Sequence, residues 1–403
     1  MSSHAATRSR ELRNIALGQD FRPRLLFRFF LYNNFMPQHP DVLIIGGGVI
    51  GMTAAYFLAR DGVQVEVVDK GDFGQEASWA GAGILPPGNP ARARTPIDQL
   101  RAHSTAMFPV LSLELRERTG IDNGYLHCGG VAFPDEHFTE TDAWRHEGIA
   151  IEKLQEADLL RLEPAIGRGL GPAYHVPDMT QLRNPWHMRA LLAGCRSLDV
   201  QLQANCPING FDLKGGRIVG VKSGQASISA GNYILASGAW TDSLLTQVGW
   251  RPGVRPIRGQ IALLNTPTPL FRRILLSGPR YLVPRSDGRV LVGSTEEDAG
   301  FEKHTTARAI SDLLSFACRL VPQLATAPVE CCWAGLRPGS PDGLPFIGAV
   351  PEVNNLYVAA GHFRAGIGLS PATAMVLKEL ILKRPLTIPI DAFRLNRVAS
   401  ARI

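Results

Sequence analysis

The sequence predicts an α/β fold with a second domain of α+β class, and three observations lead to this prediction. The apolar run "DVLII" is followed by a glycine-rich turn, a helical stretch and a second apolar run, which is the order of a parallel βαβ unit. Further apolar strands, "YILAS" and "LYVAA", precede glycine-containing turns later in the chain. Between them, signals such as "SDGR" predict antiparallel hairpins. A chain of 403 residues has room for two domains.

Composition and charge argue against a disordered chain and against a nucleic-acid-binding protein. Apolar residues make up 45% of the chain and charged residues 19%, which is an ordinary globular composition. The net charge is +6, and residues 1–40 carry most of it through six arginines and two acids. The rest of the chain is therefore nearly neutral, and we expect no nucleic-acid-binding surface.

The N-terminal stretch lacks the pattern of a membrane span. Its most apolar run, "LLFRFFL", is too short to cross a membrane and is interrupted by Arg28. We predict that residues 1–36 are a disordered or spurious extension, because "MPQHPDVLIIGGG" leads from Met36 directly into the first strand. A basic targeting segment is the alternative.

The six cysteines give no sign of a metal or redox site. None of them forms a Cys-x-x-Cys pair, so we expect no zinc site and no other metal. Cys331 and Cys332 are adjacent, and a disulfide between them would be strained. This cysteine usage favours a reducing, cytoplasmic setting.

The first βαβ unit carries a dinucleotide-binding pattern. Its turn supplies Gly46, Gly48 and Gly51 in Gly-x-Gly-x-x-Gly spacing, and the second strand ends in Asp69, about 20 residues further on. The first glycine permits the tight turn, the second lets backbone approach a pyrophosphate, and the third lets helix and strand pack closely. Asp69 is expected to accept hydrogen bonds from ribose hydroxyls. The motif alone leaves FAD and NAD open.

A loop of small residues follows this unit. The stretch "GQEASWAGAGILPPG" places Ser78, Ala80, Gly81, Ala82 and Gly83 in near succession. Such a loop lets the backbone lie flat against a large planar ligand, which favours a flavin over a nicotinamide cofactor. An ordinary glycine- and alanine-rich loop is the alternative.

The remaining elements are predicted from periodicity and turn residues. A long C-terminal helix is expected after "GHFRAGIGL", with Pro371 in its first turn and Ser370 as its cap. Other predicted elements are helices at 99–120, 154–166 and 184–200, a hairpin around Gly129–Gly130, a meander over 201–235, and strands at 254–266 and 281–298.

These stretches, taken together, resemble a known family. "IIGGGVIGMTAAYFLARDG", "EASWAGAGIL", "YILASGAWT", "WAGLRPGSPDGLPFIG" and "AAGHFRAGIGLSPATA" occur in the order seen in FAD-dependent amine and amino-acid oxidases, the D-amino-acid oxidase and sarcosine oxidase superfamily. Within it, the sequence is most similar to the glycine oxidase of thiamine biosynthesis. The resemblance extends over about residues 40–385.

The resemblance implies a discontinuous Rossmann-like FAD-binding domain and an antiparallel-sheet substrate domain. The FAD-binding domain would comprise 37–90, 180–250 and 330–390, and the substrate domain 91–179 and 251–329, with 391–403 as a C-terminal tail. The slot of the flavin-bonding cysteine of sarcosine-oxidase-like members corresponds to Gly335, so we expect noncovalent FAD. The expected cofactor-binding residues are Gly46, Gly48, Val49, Ile50, Gly51, Asp69, Lys70, Ser78, Trp79, Ala80, Gly81, Gly83, Ile208, Gly238, Trp240, His362, Phe363, Arg364, Ala365, Gly366 and Ile367.

The resemblance also implies how an amino-acid substrate is held. The arginine of "GLRP", Arg337, would clamp the substrate carboxylate, since a guanidinium offers two parallel donors. Tyr281 would donate a hydrogen bond to the same carboxylate, and Arg364 would lie at the same pocket. A structural ion pair of Arg337 with Asp342 is the alternative. Glu296 stands where some glycine oxidases have an apolar pocket residue; it would attract the substrate amine or be solvated.

The expected reaction is oxidation of glycine or another small amine or D-amino acid. Hydride transfer to the flavin and hydrolysis would yield a 2-oxo acid and ammonia, and oxygen would be reduced to hydrogen peroxide. A role of His362 as general base is a weaker hypothesis. The alternatives are a D-amino-acid dehydrogenase with another electron acceptor and a flavin-binding protein without turnover. The resemblance also suggests a homotetramer.

Overall fold

The structure is a computed structural model that describes residues 39–134, 144–398 and 402. These residues belong to the unit His39–Ile403. The extension predicted for residues 1–36 therefore lies outside the described residues. No helix in the described part of the chain has the length and apolar character needed to cross a membrane.

The helices lie mainly in the connections between strands. In chain order the described residues form α1 (Val49–Arg60), α2 (Ala77–Ala80), α3 (Pro96–Thr119), α4 (Glu156–Leu162), α5 (Asn184–Arg196), α6 (Thr241–Leu245), α7 (Ala307–Leu320) and α8 (Gly366–Ile381).

The strands form four sheets. In chain order they are β1 (Val42–Ile45), β2 (Val65–Val68), β3 (Ile84–Leu85), β4 (Leu126–His127), β5 (Gly130–Phe133), β6 (Glu152–Leu154), β7 (Ala173–Val176), β8 (Thr180–Gln181), β9 (Gln201–Gln203), β10 (Gly210–Lys214), β11 (Arg217–Ser223), β12 (Ala226–Ile228), β13 (Asn232–Leu235), β14 (Arg255–Asn265), β15 (Ile274–Ser277), β16 (Arg280–Pro284), β17 (Arg289–Gly293), β18 (Val329–Gly339), β19 (Phe346–Ala349) and β20 (Leu356–Ala360).

The first sheet has the order β19–β20–β13–β1–β2–β9 and is parallel except for β19. The central strand β1 is buried along its whole length, which explains its continuous apolar sequence. Val42 and Ile44 pack under α1, α5 and α8, whereas Leu43 and Ile45 face β11 and α6. The predicted α/β class and the βαβ unit are confirmed.

The second large sheet has the order β18–β14–β17–β16–β15–β5–β7–β6. All its neighbours pair antiparallel except β15 and β5. Side chains alternate between its faces, so Leu282 packs under α7 while Tyr281 lies on the opposite face. The antiparallel second sheet of the predicted fold is therefore present. Two small sheets have the orders β10–β11–β12 and β3–β8–β4.

Two local predictions are wrong. The C-terminal helix begins at Gly366, so Ser370 does not cap it and Pro371 lies within it. The helix tolerates this proline because the Ser370 hydroxyl donates to the Ile367 carbonyl, at 2.9 Å, which loses its usual N–H donor. Gly129–Gly130 do not form a hairpin either, because β4 and β5 on their two sides belong to different sheets.

Two segments pack with the sheet of the other expected domain. Strand β18, expected in the FAD-binding domain, pairs with β14 along the edge of the eight-stranded sheet. Helix α3, expected in the substrate domain, contributes Leu111 and Leu115 to the core under α1. The domain bounds themselves stay a prediction.

Candidate active site

The glycine turn forms one end of a cavity. Gly46 has a φ of +114°, and a Cβ there would overlap the Ala236 carbonyl on the neighbouring strand, so only glycine fits. Gly48 begins α1 without a side-chain cap. The backbone N–H of Val49 donates to the Ser78 hydroxyl at 2.8 Å, which joins the turn to the small-residue loop. The uncapped helix start is suited to a phosphate group.

Asp69 lies beside this turn. Its carboxylate accepts hydrogen bonds from the backbone N–H groups of Gly47 at 2.7 Å and Gly71 at 3.0 Å. Burial raises the pKa of this carboxyl group, and the two backbone donors oppose that shift. Lys70 places its ammonium 3.1 Å from the centre of the Trp240 ring. The acid is thus held by backbone at the wall of the cavity, where a ribose would lie.

The cavity has a volume of about 660 Å³ and extends from the glycine turn to the eight-stranded sheet. It brings together most of the residues predicted for the site. Those that line it are Gly46, Gly48, Val49, Ile50, Asp69, Lys70, Ser78, Gly81, Gly83, Ile208, Gly238, Trp240, Tyr281, Arg337, His362, Phe363, Arg364, Ala365, Gly366 and Ile367.

Three of the predicted residues do not line the cavity. Gly51 packs against the Gly46 carbonyl, where a Cβ would overlap it. The Trp79 ring lies edge-on to Trp333 at 5.3 Å, and the Trp333 indole donates to the Ala80 carbonyl at 3.0 Å. These three residues therefore pack behind the cavity wall rather than lining the cavity.

Arg337 lies at the far end of the cavity. Its guanidinium donates to the Thr295 carbonyl at 3.1 Å and to the Ser294 hydroxyl at 2.7 Å. Among the described residues, no carboxylate lies within ion-pair distance of it, and Asp342 pairs with Arg397 instead. The alternative ion pair of Arg337 with Asp342 is therefore wrong. Burial lowers the pKa of Arg337, so an anion in the cavity would offset the cost of its charge.

Tyr281 lies beside Arg337 on the neighbouring part of the sheet. It is buried, and its hydroxyl helps to stabilise the charged form of Arg337. Two glycines that sequence reasoning missed make room for this pair. A Cβ at Gly259 would overlap the Arg337 guanidinium, and a Cβ at Gly293 would overlap the Tyr281 ring. The available signal was a glycine inside an apolar strand, which marks a close approach.

Arg364 reaches the cavity from the turn before α8. Its guanidinium donates to the Pro279 carbonyl at 2.7 Å and forms an ion pair with Glu296 at 3.5 Å. Phe363, its neighbour, has a φ of +47°, a conformation that bulky residues rarely adopt. The turn is therefore held by its surroundings rather than by local preference.

His362 is buried in the same turn. Its Nε2 lies 3.1 Å from the Thr373 hydroxyl, and burial lowers its pKa to about 3. The imidazole is therefore neutral at physiological pH and is bound to a hydroxyl on α8. It lines the cavity as an uncharged hydrogen-bonding group.

The residues present fit an FAD. The uncapped helix start suits a pyrophosphate, Asp69 suits a ribose, and the flat small-residue loop leaves space beside α8 for a planar ring. The start of α8 offers partial positive charge to an anionic ring edge. No group of three or more His, Cys, Asp or Glu residues suited to a metal ion occurs in the described ranges.

Comparisons with known proteins show which family the chain resembles. Residues 41–380 match the DAO family, described as FAD dependent oxidoreductase. The chain is 36% identical to the glycine oxidase of Pseudomonas putida, over 85% of this chain and 94% of that protein. It is 35% identical to the bifunctional protein ThiO/ThiG of Synechocystis, over 90% of this chain and 54% of that protein.

Solved structures show the same relationship. The crystal structure of glycine oxidase from Geobacillus kaustophilus superposes with a TM-score of 0.84 at 31% identity, over 89% of this chain and 99% of that one. The matched region contains both the glycine turn and the Arg337 end of the cavity. The chain therefore belongs to the DAO family and is an FAD-dependent oxidoreductase.

Proposed function

We propose that this enzyme oxidises glycine, or a small amine or D-amino acid, with oxygen as the electron acceptor. The products are a 2-oxo acid (glyoxylate from glycine), ammonia and hydrogen peroxide. We further propose that this reaction supplies the thiazole moiety of thiamine. Relatives that carry the names glycine oxidase and ThiO/ThiG support both statements.

One observation carries the proposal. Arg337 presents its guanidinium to the cavity with no carboxylate partner among the described residues, and Tyr281 lies beside it. A guanidinium and a phenol together match the two oxygens of a carboxylate. The cavity that contains them also contains the FAD-binding turn, so a bound carboxylate would be anchored within reach of the cofactor.

The side chains orient the substrate rather than react with it. The Thr295 carbonyl and the Ser294 hydroxyl fix the Arg337 guanidinium, which in turn fixes the substrate carboxylate. In this proposal the substrate binds with its amine unprotonated. Bound FAD would supply the hydride acceptor for this oxidation. His362, neutral and bound to Thr373, is not the base in this scheme.

The cofactor is proposed to bind noncovalently through the cavity-lining residues named above. Gly335, in the slot of the flavin-bonding cysteine, has no thiol, and a Cβ there would overlap Ala80. Neither Cys331 nor Cys332 lines the cavity. We retain the homotetramer as a proposal from the family.

The test is oxygen consumption by the purified yellow protein with glycine, sarcosine and D-alanine, together with assays of peroxide, ammonia and 2-oxo acid. With glycine and D-alanine we expect all four changes in equal amounts, whereas sarcosine should release methylamine in place of ammonia. Turnover with an artificial dye but not with oxygen would instead identify a dehydrogenase. No turnover with any substrate and either acceptor would overturn the proposal and favour a non-catalytic flavoprotein.

A further inference from the structure

The positive charges of the cavity differ in how they are neutralised. Four arginines among the described residues line it, and they are Arg101, Arg280, Arg337 and Arg364. Arg101 forms ion pairs with Asp98 and Glu147. The Arg280 guanidinium lies 5.7 Å from the Phe316 ring, under α7 and on the face opposite Tyr281. Arg364 acts electrostatically on Arg337, so these two arginines lie near each other at the end of the cavity that contains Tyr281.

These two arginines have different partners. Arg337 has only neutral acceptors among the described residues, whereas Arg364 has the carboxylate of Glu296 at 3.5 Å. The side chains of Arg364 and Glu296 are 36% and 44% exposed. Glu296 itself does not line the cavity, so it faces Arg364 rather than a substrate amine. Burial is the main cause that lowers the pKa of Arg337; the nearby charge of Arg364 lowers it further, and that of Glu296 opposes the shift.

We infer that Glu296 determines substrate specificity by neutralising Arg364 and so restricting the substrate to a single carboxylate. This inference rests on the proposed function. With Glu296 present, a second substrate carboxylate would meet an arginine whose charge is already paired, and it would be repelled by the Glu296 carboxylate. Without that charge, Arg364 becomes a second anion-binding group beside Arg337.

The test compares two substrates that differ by one carboxylate. Sarcosine is N-methylglycine, and iminodiacetate is the same amine with a carboxylate on the methyl group. We expect Glu296→Gln, which keeps the shape of the side chain, to raise the ratio of kcat/KM for iminodiacetate to that for sarcosine about fivefold. In the double variant Glu296→Gln, Arg364→Gln, this rise in the kcat/KM ratio should disappear.

Glu302→Gln is the matched control. It removes the same charge from an exposed site whose nearest arginine, Arg258, is 4.0 Å away and is also held by Glu297. The ratio should stay within twofold of the wild type in this variant. An unchanged ratio in Glu296→Gln, or an equal rise in Glu302→Gln, would overturn the inference.

A binding measurement separates this inference from the proposed function. Calorimetric titration of the purified flavoprotein with acetate and malonate, which also differ by one carboxylate, needs no turnover. We expect Glu296→Gln to lower the dissociation constant of malonate, relative to that of acetate, about fivefold. If the wild type oxidises neither glycine nor sarcosine, the proposed function fails, yet this titration still decides the role of Glu296. An equal change in the dissociation constants of both anions would contradict the role inferred for Glu296.

Discussion

Arg285 directly follows β16 and Arg337 lies on β18 of the same sheet, and the surroundings of the two arginines differ in an instructive way. Neither has a carboxylate within ion-pair distance in the described part of the chain, and burial lowers the pKa of both. Arg285 is 5% exposed and lies outside the cavity. It donates to Gln181 Oε1 at 2.6 Å, the Leu182 carbonyl at 3.0 Å and the Ala82 carbonyl at 2.8 Å. Arg337 lines the cavity and has two such acceptors.

The difference shows that burial of an arginine does not by itself indicate a ligand site. A guanidinium has five N–H donors, and Arg285 uses its donors to tie the small-residue loop to β8 and β16. Arg337 is held on one side by Thr295 and Ser294 and presents its remaining donors to the cavity. We therefore assign Arg285 to stability and Arg337 to substrate binding, and the following changes test that division.

Arg337→Met should have the largest effect on catalysis. It removes the carboxylate clamp, and we expect kcat/KM for glycine to fall about 1,000-fold, which corresponds to about 4 kcal/mol. The free energy of unfolding should fall by only about 1 kcal/mol, because the Thr295 carbonyl and the Ser294 hydroxyl lose their donor while a buried charge is removed. Steady-state kinetics and urea unfolding measure the two effects. Arg337→Lys should recover part of the loss by restoring charge without the paired donors.

Arg285→Met should have the opposite effect, with a larger loss of stability than of substrate binding. It leaves three buried acceptors without their donor, and we expect a loss of about 3 kcal/mol in the free energy of unfolding. FAD should also dissociate more readily, because the Ala82 carbonyl lies in the small-residue loop. Urea unfolding and fluorescence of released flavin measure these effects. A stable variant with normal FAD affinity but no affinity for glycine would reverse the assignment.

Gly259→Ala and Gly293→Ala should have smaller effects on the same pair of side chains. The added methyl groups displace Arg337 and Tyr281, and we expect kcat/KM for glycine to fall about 10- to 100-fold in each. Gly210→Ala, in the small β10–β11–β12 sheet, is the control, because its Cβ would meet only the flexible Lys222 side chain. If all three variants had the wild-type kcat/KM, the geometry of the clamp would be wrong.

The smallest expected effect is a loss of stability at acid pH, and it comes from two buried histidines. Burial lowers the pKa of His187 to about 4 and that of His362 to about 3, below the unfolded value of about 6.5. Between these values the unfolded chain binds more protons, so stability should fall as the pH falls, by about 1.4 kcal/mol per pH unit for each histidine.

Replacement of His187 measures its share of this acid sensitivity. Between pH 7 and pH 5, His187→Gln should lose about 2 kcal/mol less than the wild type in the free energy of unfolding. Urea unfolding at the two pH values gives the comparison. Equal losses in the two proteins would show that His187 titrates normally in the folded state.

The sequence was most informative where structure is local. The glycine turn, Asp69 and the apolar strands lie within one short stretch, so their spacing sufficed to predict a dinucleotide-binding unit. Arg337 and Tyr281 are predicted as substrate-binding residues only from the resemblance of their motifs to a family. The structure then brings them to the same cavity as the glycine turn.

Contacts set by strand register could not be predicted in the same way. Gly259 makes room for Arg337, and Gly293 makes room for Tyr281, only because β14 pairs with β18 and β16 pairs with β17. The early start of α8 was missed because Ser370–Pro371 is a strong local signal for a helix start. The tertiary setting overrides that signal by giving the Ile367 carbonyl another donor.

The most direct test of the account is the anaerobic absorbance spectrum of the wild type and of Arg337→Met as glycine is added. The account predicts that the yellow flavin band of the wild type disappears with glycine and returns on admission of air. Arg337→Met should stay yellow at the same glycine concentration. Equal bleaching of both proteins would contradict the role of Arg337, and a wild type that glycine, sarcosine and D-alanine all fail to bleach would contradict the proposed oxidation itself.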